Sequence, residues 1–172
     1  MALAEHITLI IQSEQVLVLR LQPSGKYFCC GYDIGCLGAT RSVGFDEVAD
    51  ALEEARPVTL AVLQGGVYGG ATDLALACDF RLGTPAVDMF MPAARLGLHF
   101  YRRGLKRYLS RLDVDAAKRL FLTAEKIGAD EMKAIGFLTH LVSAGALDTS
   151  ASRFPDTLAG MAPLALLGMK NT

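Results

Sequence analysis

The sequence has no uninterrupted apolar run that approaches the roughly 20 residues needed to cross a membrane. It also has almost no net charge, −1 at neutral pH with a pI near 6.3, which argues against nucleic acid as a partner. Residues 1–14 lack the basic region and long apolar core of a signal peptide, so a cytoplasmic protein is expected.

Cysteine is present but lacks any zinc-binding spacing. The four cysteines are Cys29, Cys30, Cys36 and Cys78. Cys29 and Cys30 lie in an apolar run, so buried free thiols are expected rather than a metal site or a redox role.

The chain is rich in apolar residues and in glycine. Its 172 residues are 52% hydrophobic, with a mean hydropathy of +0.33, which suffices for a sizeable core and predicts one compact domain over residues 1–172. Several of the 17 glycines fall where a backbone would have to approach a ligand closely.

Hydrophobic patterning predicts strands that alternate with helices, which favours an α/β fold. The predicted strands are residues 7–11, 16–21, 27–30, 58–63, 79–82, 88–91 and 138–142. The predicted helices are residues 45–56, 71–78, 114–123 and 130–135, with an apolar helix over 155–170. Residues 31–44 and 65–70 are expected to be glycine-rich loops, and residues 96–104 an irregular loop.

Gly69 and Gly70 open a predicted helix. The unpaired N–H groups and the dipole at a helix start favour an anion, and glycine lets a ligand approach the backbone. A tight strand-to-helix turn without a ligand explains the same pattern, so this pair alone leaves both interpretations open.

The surrounding residues form a longer motif. The run from Gly69 to Asp79 resembles the G-G-(G/A)-x-(E/D)-L-A-x-A-C-D signature of the crotonase (enoyl-CoA hydratase/isomerase) superfamily. Residues 28–34, 91–97 and 122–138 are similar to the F-x-x-G-x-D-(I/L), F-x-x-P-E-x-x-L-G and L-T-G … x-G-L-V segments of that family, in the same order. The resemblance implies a crotonase-like ββα spiral, with core sheets surrounded by helices.

The resemblance also implies a site. In the family, two backbone N–H groups form an oxyanion hole for a thioester carbonyl, and the matching residues are Tyr32 and Gly70. Such a hole stabilises charge that develops only as the enolate forms. Coenzyme A is implied as part of the substrate, with no tightly bound cofactor and no metal. The matching residues on the coenzyme A side are Lys26, Phe28, Cys30, Asp33, Ile34 and Gly69.

The acidic residues depart from the hydratase pattern, in which two glutamates flank a water. Asp73 stands at the first position and resembles the dienoyl-CoA isomerase branch, where an aspartate transfers a proton. An acid stabilised by the helix dipole explains it equally. Ala93 stands at the second position, and alanine cannot move a proton.

Other groups that could replace the missing acid lie in residues 98–104. His99 and Tyr101 are candidate catalytic residues there, His99 because it titrates near neutrality. The basic residues Arg102, Arg103, Lys106 and Arg107 either hold a substrate carboxylate or coenzyme A phosphates or form a solvated face. His6 and His140 are expected to be structural.

Three functions follow from the resemblance. The first is an acyl-CoA hydratase/isomerase, and the second is a decarboxylase, because residues 67–71 resemble the V-W-G-G-A run of methylmalonyl-CoA decarboxylases. The third is a non-catalytic acyl-CoA-binding or assembly protein. The family also implies a homotrimer or a dimer of trimers, and its members are longer, so segments are expected to be missing near residues 22–25 and after 172.

Overall fold

The computed structural model describes residues 6–7, 9–10, 13–32 and 44–170. Within these ranges the strands are β1 (Val18–Leu21), β2 (Val58–Leu63), β3 (Val67–Tyr68), β4 (Phe80–Gly83), β5 (Asp88–Phe90), β6 (Ile127–Gly128) and β7 (His140–Leu141). One sheet has the order β1-β2-β4-β7 with all pairs parallel. A second has the order β3-β5-β6, in which β3 and β5 are parallel and β6 is antiparallel to β5.

Helices surround these sheets. They are α1 (Phe45–Glu53), α2 (Gly70–Leu76), α3 (Arg102–Arg111), α4 (Val114–Thr123), α5 (Ala129–Ala134), α6 (Leu147–Ala159) and α7 (Pro163–Lys170). Two 3-10 helices lie at Ala93–Leu96 and Ala144–Ala146. The expected α/β fold class is confirmed by this combination of helices with a parallel sheet.

Strand β2 is the centre of the core, with all six residues buried. Side chains alternate across a strand. Ala61 and Leu63 therefore pack in the larger apolar cluster with α2, whereas Leu60 and Val62 pack in a smaller one with Leu82 and α6. Burial on both faces explains why β2 is apolar in the sequence except at Thr59, whose hydroxyl donates to Asp79 Oδ2 at 2.9 Å.

The predicted strand over residues 7–11 is wrong for the part that the structure describes, where His6, Ile7, Leu9 and Ile10 are helical. Ile7 is buried and Ile10 packs against the same cluster, whereas Leu9 is 68% exposed. This three-residue spacing suits a helical face, and a short apolar run does not distinguish it from a strand.

Helix α3 replaces part of the predicted irregular loop over residues 96–104. Its buried face carries Gly104, Arg107 and Tyr108 rather than a stripe of aliphatic residues. Helical apolar spacing is present at Leu105, Tyr108, Leu109 and Leu112, so the expected loop is wrong from residue 102 onward. That spacing does not mark the buried face, because Leu109 is 49% exposed and Arg107 is buried.

The single apolar helix predicted over residues 155–170 is two helices, α6 and α7. Gly160 caps the end of α6, and Pro163 begins α7, at a position where the missing N–H of proline costs nothing. Across the described ranges, no helix has the length and apolar character required to span a membrane.

Candidate active site

The chain passes close to the start of α2 at Gly31. Just before it, Phe28 N–H donates to the Gly66 carbonyl at 3.0 Å and Tyr68 N–H donates to the Cys29 carbonyl at 3.1 Å. A Cβ atom on Gly31 would lie 2.7 Å from the Tyr68 carbonyl oxygen and 3.5 Å from the Gly70 nitrogen. With its φ of +95°, this position requires glycine. The pairing therefore brings Gly31, and with it the neighbouring Tyr32, to the start of α2.

The turn into α2 is built by two glycines with different tasks. Gly69 has φ 56° and ψ −129°, and its carbonyl accepts hydrogen bonds from Thr72 N–H at 3.0 Å and Thr72 Oγ1 at 2.6 Å. Gly70 is the first helical residue, so its N–H group has no partner within the helix. A Cβ on Gly70 would lie 3.0 Å from the Phe45 ring, which shows how closely α1 covers this position.

Asp73, in the first turn of α2, is fully buried. Its Oδ2 accepts hydrogen bonds from Arg107 Nη1 at 2.5 Å and from the Tyr101 hydroxyl. Its Oδ1 has no hydrogen-bond partner. Burial raises the pKa of Asp73, and the Arg107 charge and the Tyr101 hydroxyl oppose that increase only in part.

Arg107 links three helices and is fully buried. Its Nη2 contacts Asp50 Oδ1 at 2.7 Å and Glu53 Oε2 at 3.0 Å, both on α1, while Nη1 contacts Asp73 on α2. Burial by itself would lower the pKa of Arg107, but Glu53 and Asp73 outweigh it and the pKa is raised. Arg107 therefore balances carboxylates of the protein, so it is neither part of a solvated basic face nor available to a substrate carboxylate or to coenzyme A phosphates.

The two candidates in residues 98–104 have different positions. Tyr101 is half-buried beside Asp73, and burial together with the Asp73 charge raises the pKa of its hydroxyl. His99 is exposed. Ala93 is buried at the start of a 3-10 helix, so position 93 contributes no acid. The structure thus brings Tyr101 to Asp73 and leaves His99 at the surface.

The residues expected on the coenzyme A side are divided between surface and core. Lys26 and Cys30 are exposed, with Lys26 Nζ 5.5 Å from the centre of the Tyr27 ring, whereas Phe28 is buried in the core. Asp33 and Ile34 lie outside the described residues, as does Cys36. The described ranges contain no cluster of His, Cys, Asp or Glu that could hold a metal ion.

The expectation of buried thiols is wrong for Cys30, because the chain leaves the sheet after the single bridge between Cys29 and Val67. Cys29 is partly buried. Among the cysteines that the structure describes, Cys78, two residues after α2, is buried, and its burial raises its pKa to about 12.

Residues outside the recognised motifs complete the candidate site. Asp50, Glu53 and Arg107 belong to it only through the packing of α1 against α2 and α3. A signal was present in the sequence, since Asp50 and Glu53 share a face of one helix and Arg103 and Arg107 share a face of another. That signal does not say which helices meet.

The fold and this site are those of a class of protein that comparison with known sequences also identifies. A model of the enoyl-CoA hydratase/isomerase family matches residues 3–172. The chain therefore belongs to the enoyl-CoA hydratase/isomerase family, which confirms the resemblance found in its motifs.

Two curated proteins are similar to this chain in sequence. The chain is 30% identical over 164 residues to the enoyl-CoA isomerase/hydratase fer4 of Mycosarcoma maydis, a match that covers 89% of this chain and 59% of that protein. It is 27% identical over 179 residues to the peroxisomal Delta(3,5)-Delta(2,4)-dienoyl-CoA isomerase of Arabidopsis thaliana, covering 92% of this chain and 64% of that protein. The chain thus spans less than two thirds of the length of both curated relatives.

Solved structures confirm the crotonase-like fold. An enoyl-CoA hydratase/carnithine racemase from Magnetospirillum magneticum superimposes with a TM-score of 0.91 at 23% identity. The match covers 99% of this chain and 67% of that one. At this level of identity the similarity establishes the fold alone.

Proposed function

We propose that the protein acts on an acyl-CoA thioester by stabilising its enolate, as a hydratase or isomerase. The observation that carries the proposal is the approach of Gly31 to the Gly70 nitrogen, with 3.5 Å between that nitrogen and a Cβ placed on Gly31. It supports an oxyanion hole in which the N–H groups of Tyr32 and Gly70 donate to the thioester oxygen. Coenzyme A is then part of the substrate, and the exposed Lys26 and Cys30 are candidates to contact it.

Enolate formation requires a group that removes a proton from carbon. Asp73 is our candidate, because it follows Gly70 by one helical turn and burial raises its pKa, which makes it a stronger base. Ala93 removes the second acid that the usual hydration requires. The single carboxylate therefore favours double-bond isomerisation, in which one group takes and returns a proton, over the two-glutamate addition of water.

The other two functions are less favoured. Family members named above are an isomerase/hydratase and a dienoyl-CoA isomerase, which supports chemistry on a double bond rather than decarboxylation or binding without catalysis. We further propose a homotrimer or a dimer of trimers, on the basis of the family resemblance. Light scattering of the purified protein tests the assembly.

The Gly70 N–H group can be tested with a matched pair of variants. Gly70→Ala and Gly70→Pro both add a Cβ facing Phe45, but proline alone removes the N–H, and proline is tolerated at the first helical position. Turnover of a 3-enoyl-CoA and of crotonyl-CoA is measured for both. We expect Gly70→Pro to have about 10²–10³-fold lower kcat than Gly70→Ala, the usual effect of losing one oxyanion donor.

Equal kcat for the two variants would contradict a role for the Gly70 N–H. Release of CO₂ from methylmalonyl-CoA by the unmodified protein, without turnover of either enoyl-CoA, would instead support the decarboxylase. Circular dichroism and thermal unfolding of both variants show whether the added Cβ disturbs the fold equally.

A further inference from the structure

The two oxygens of Asp73 have different surroundings. Oδ2 accepts two hydrogen bonds, from Arg107 Nη1 and from the Tyr101 hydroxyl, whereas Oδ1 is equally buried and accepts none. A buried carboxylate oxygen that accepts no hydrogen bond from the protein is costly unless another group reaches it. The cost is understandable if that oxygen has to remain available to another group.

Arg107 is itself held in place from the opposite side. Asp50 and Glu53 fix its Nη2, and Asp50 also pairs with Arg103 Nε at 3.1 Å. A guanidinium is planar, so fixing one of its terminal nitrogens on α1 also fixes the direction of the other. The Asp73 side chain is therefore oriented through Arg107 by two carboxylates of α1.

The groups that face Asp73 come from two neighbouring helices. From α3 and the residue before it these are Arg107, Tyr101 and Tyr108, whose hydroxyl bonds to Thr72 next to Asp73. From α1 they are Glu53, whose charge raises the pKa of Asp73, and Asp50 through Arg107. Of the two groups that bond to Oδ2, Arg107 is fully buried and Tyr101 is half-buried.

We propose that Arg107 is a positioning residue for the proposed enolate chemistry: with Tyr101 it occupies Oδ2 of Asp73 and leaves Oδ1 as the oxygen that exchanges a proton with the acyl chain. This inference rests on the proposed function. In the forward step the C–H bond next to the thioester breaks, its electron pair enters the enolate and an O–H bond forms at Oδ1. In the return step the O–H bond at Oδ1 breaks and the same proton forms a C–H bond with a different carbon of the conjugated enolate. Asp73 is then a carboxylate again.

Neighbours of Asp73 have opposite effects on its charge. The Tyr101 hydroxyl stabilises the carboxylate and lowers its pKa, whereas Glu53 disfavours a second negative charge and raises it. Removal of the hydroxyl therefore raises the pKa of Asp73, and removal of the Glu53 charge lowers it. If Asp73 exchanges the proton, the acid limb of the rate profile has to follow both shifts, whereas a purely structural Asp73 would leave that limb in place.

The experiment is the pH profile of kcat/KM for a 3-enoyl-CoA in Tyr101→Phe, Glu53→Gln and a control, Glu54→Gln. Glu54 is the next residue along the chain, but it is exposed and pairs with Arg103 instead of Arg107. We expect the acid limb of the profile to move to higher pH in Tyr101→Phe, to lower pH in Glu53→Gln, and to stay in place in Glu54→Gln. Arg107→Lys should lower kcat about 10²-fold with little change in KM, since lysine cannot hold both partners in one plane.

Failure of this inference can be told from failure of the proposed function. The titration of Asp73 itself is followed by carboxyl ¹³C NMR, with the signal assigned through Asp73→Asn. If the unmodified protein turns over a 3-enoyl-CoA, the inference is overturned by an acid limb that does not follow the NMR titration of Asp73 in these variants, or by an unchanged kcat in Arg107→Lys. Enolate chemistry on an acyl-CoA then stands, with a base other than an Arg107-positioned Asp73. If the unmodified protein turns over no acyl-CoA, the proposed function fails and the inference fails with it.

Discussion

At the scale of single residues, the cysteines show how position decides reactivity. Cys30 is exposed at the end of a short paired segment, whereas Cys78 is fully buried behind α2. The thiolate is the reactive form of cysteine, and burial raises the pKa of Cys78 to about 12. The two thiols should therefore differ strongly in their access to a reagent, and burial also keeps Cys78 in its unreactive protonated form.

We expect a thiol-alkylating reagent at neutral pH to modify Cys30 well before Cys78 in the native protein. Peptide mass mapping over a time course measures this directly. Alkylation in denaturant is the control, and there both residues should react at similar rates. Labelling of Cys78 as fast as Cys30 without denaturant would show that α2 opens readily, contrary to its complete burial.

At the scale of elements, helix α4 depends on a defined cap. Asp113 precedes it, and its side chain accepts a hydrogen bond from the Ala116 N–H at 2.6 Å. Asp115 lies in the same first turn and is exposed. One acid therefore satisfies a helix N–H directly, and the other interacts with the helix only through the dipole.

Asp113→Ala should lower the free energy of unfolding by about 1 kcal/mol, the usual effect of losing such a cap. Asp115→Ala is the matched control and should cost less, because it removes only the favourable charge near the helix start. Urea unfolding of both variants provides the comparison. A larger loss in Asp115→Ala than in Asp113→Ala would contradict the capping role.

The helices and strands also show how much of the fold could be predicted from the sequence. The bounds of β2 and of α4 agree with their predicted ranges, because each has a clear pattern, a nearly continuous apolar run in one and a cap followed by helical spacing in the other. Helix α3 has helical spacing at Leu105, Tyr108 and Leu109, but this spacing does not predict its buried face, since Arg107 occupies a place there. An arginine is compatible with burial only where carboxylates of other helices meet it, and that is a property of the fold.

Part of the candidate site could likewise be predicted from the sequence, and part could not. Gly70 and Asp73 could be located from local motifs, because a glycine pair before a helix has a meaning that depends on neighbouring residues alone. The pairing of Asp73 with Arg107 could not, since it joins residues 34 positions apart whose meeting depends on helix packing. The roles of Tyr32, Gly70 and Asp73 in catalysis stay predictions.

At the scale of the whole molecule, two aspartates should give stability opposite dependences on pH. Burial raises the pKa of Asp73. Burial also acts to raise the pKa of Asp88, but hydrogen bonds from Lys126 and Tyr68 outweigh it and the pKa is lowered. At a pH just above about 4, the ordinary pKa of an aspartate, Asp73 is therefore more protonated in the folded protein than in the unfolded chain. At a pH below about 4, Asp88 is less protonated in the folded protein than in the unfolded chain.

The contribution of Asp73 to the free energy of unfolding should consequently fall as the pH rises from about 4 towards the raised pKa of Asp73. The contribution of Asp88 should rise as the pH approaches about 4 from below. A single proton changes the slope by at most about 1.4 kcal/mol per pH unit. Asp73→Asn should remove the falling contribution and Asp88→Asn the rising one. Urea unfolding across this pH range measures both slopes, and changes of the same sign in the two variants would contradict the assignment.

The hydrogen bonds that join residues 28–29 to residues 66–68 also have a consequence for how the chain is made. They connect segments that leave the ribosome at different times, with α1 and β2 emerging between them. The site between Gly31 and the start of α2 therefore cannot form until the later segment has emerged. Under the proposed function, an acyl-CoA bound there would add its binding free energy to that long-range pairing, and substrate supply would then help to determine how much of the newly made protein stays folded.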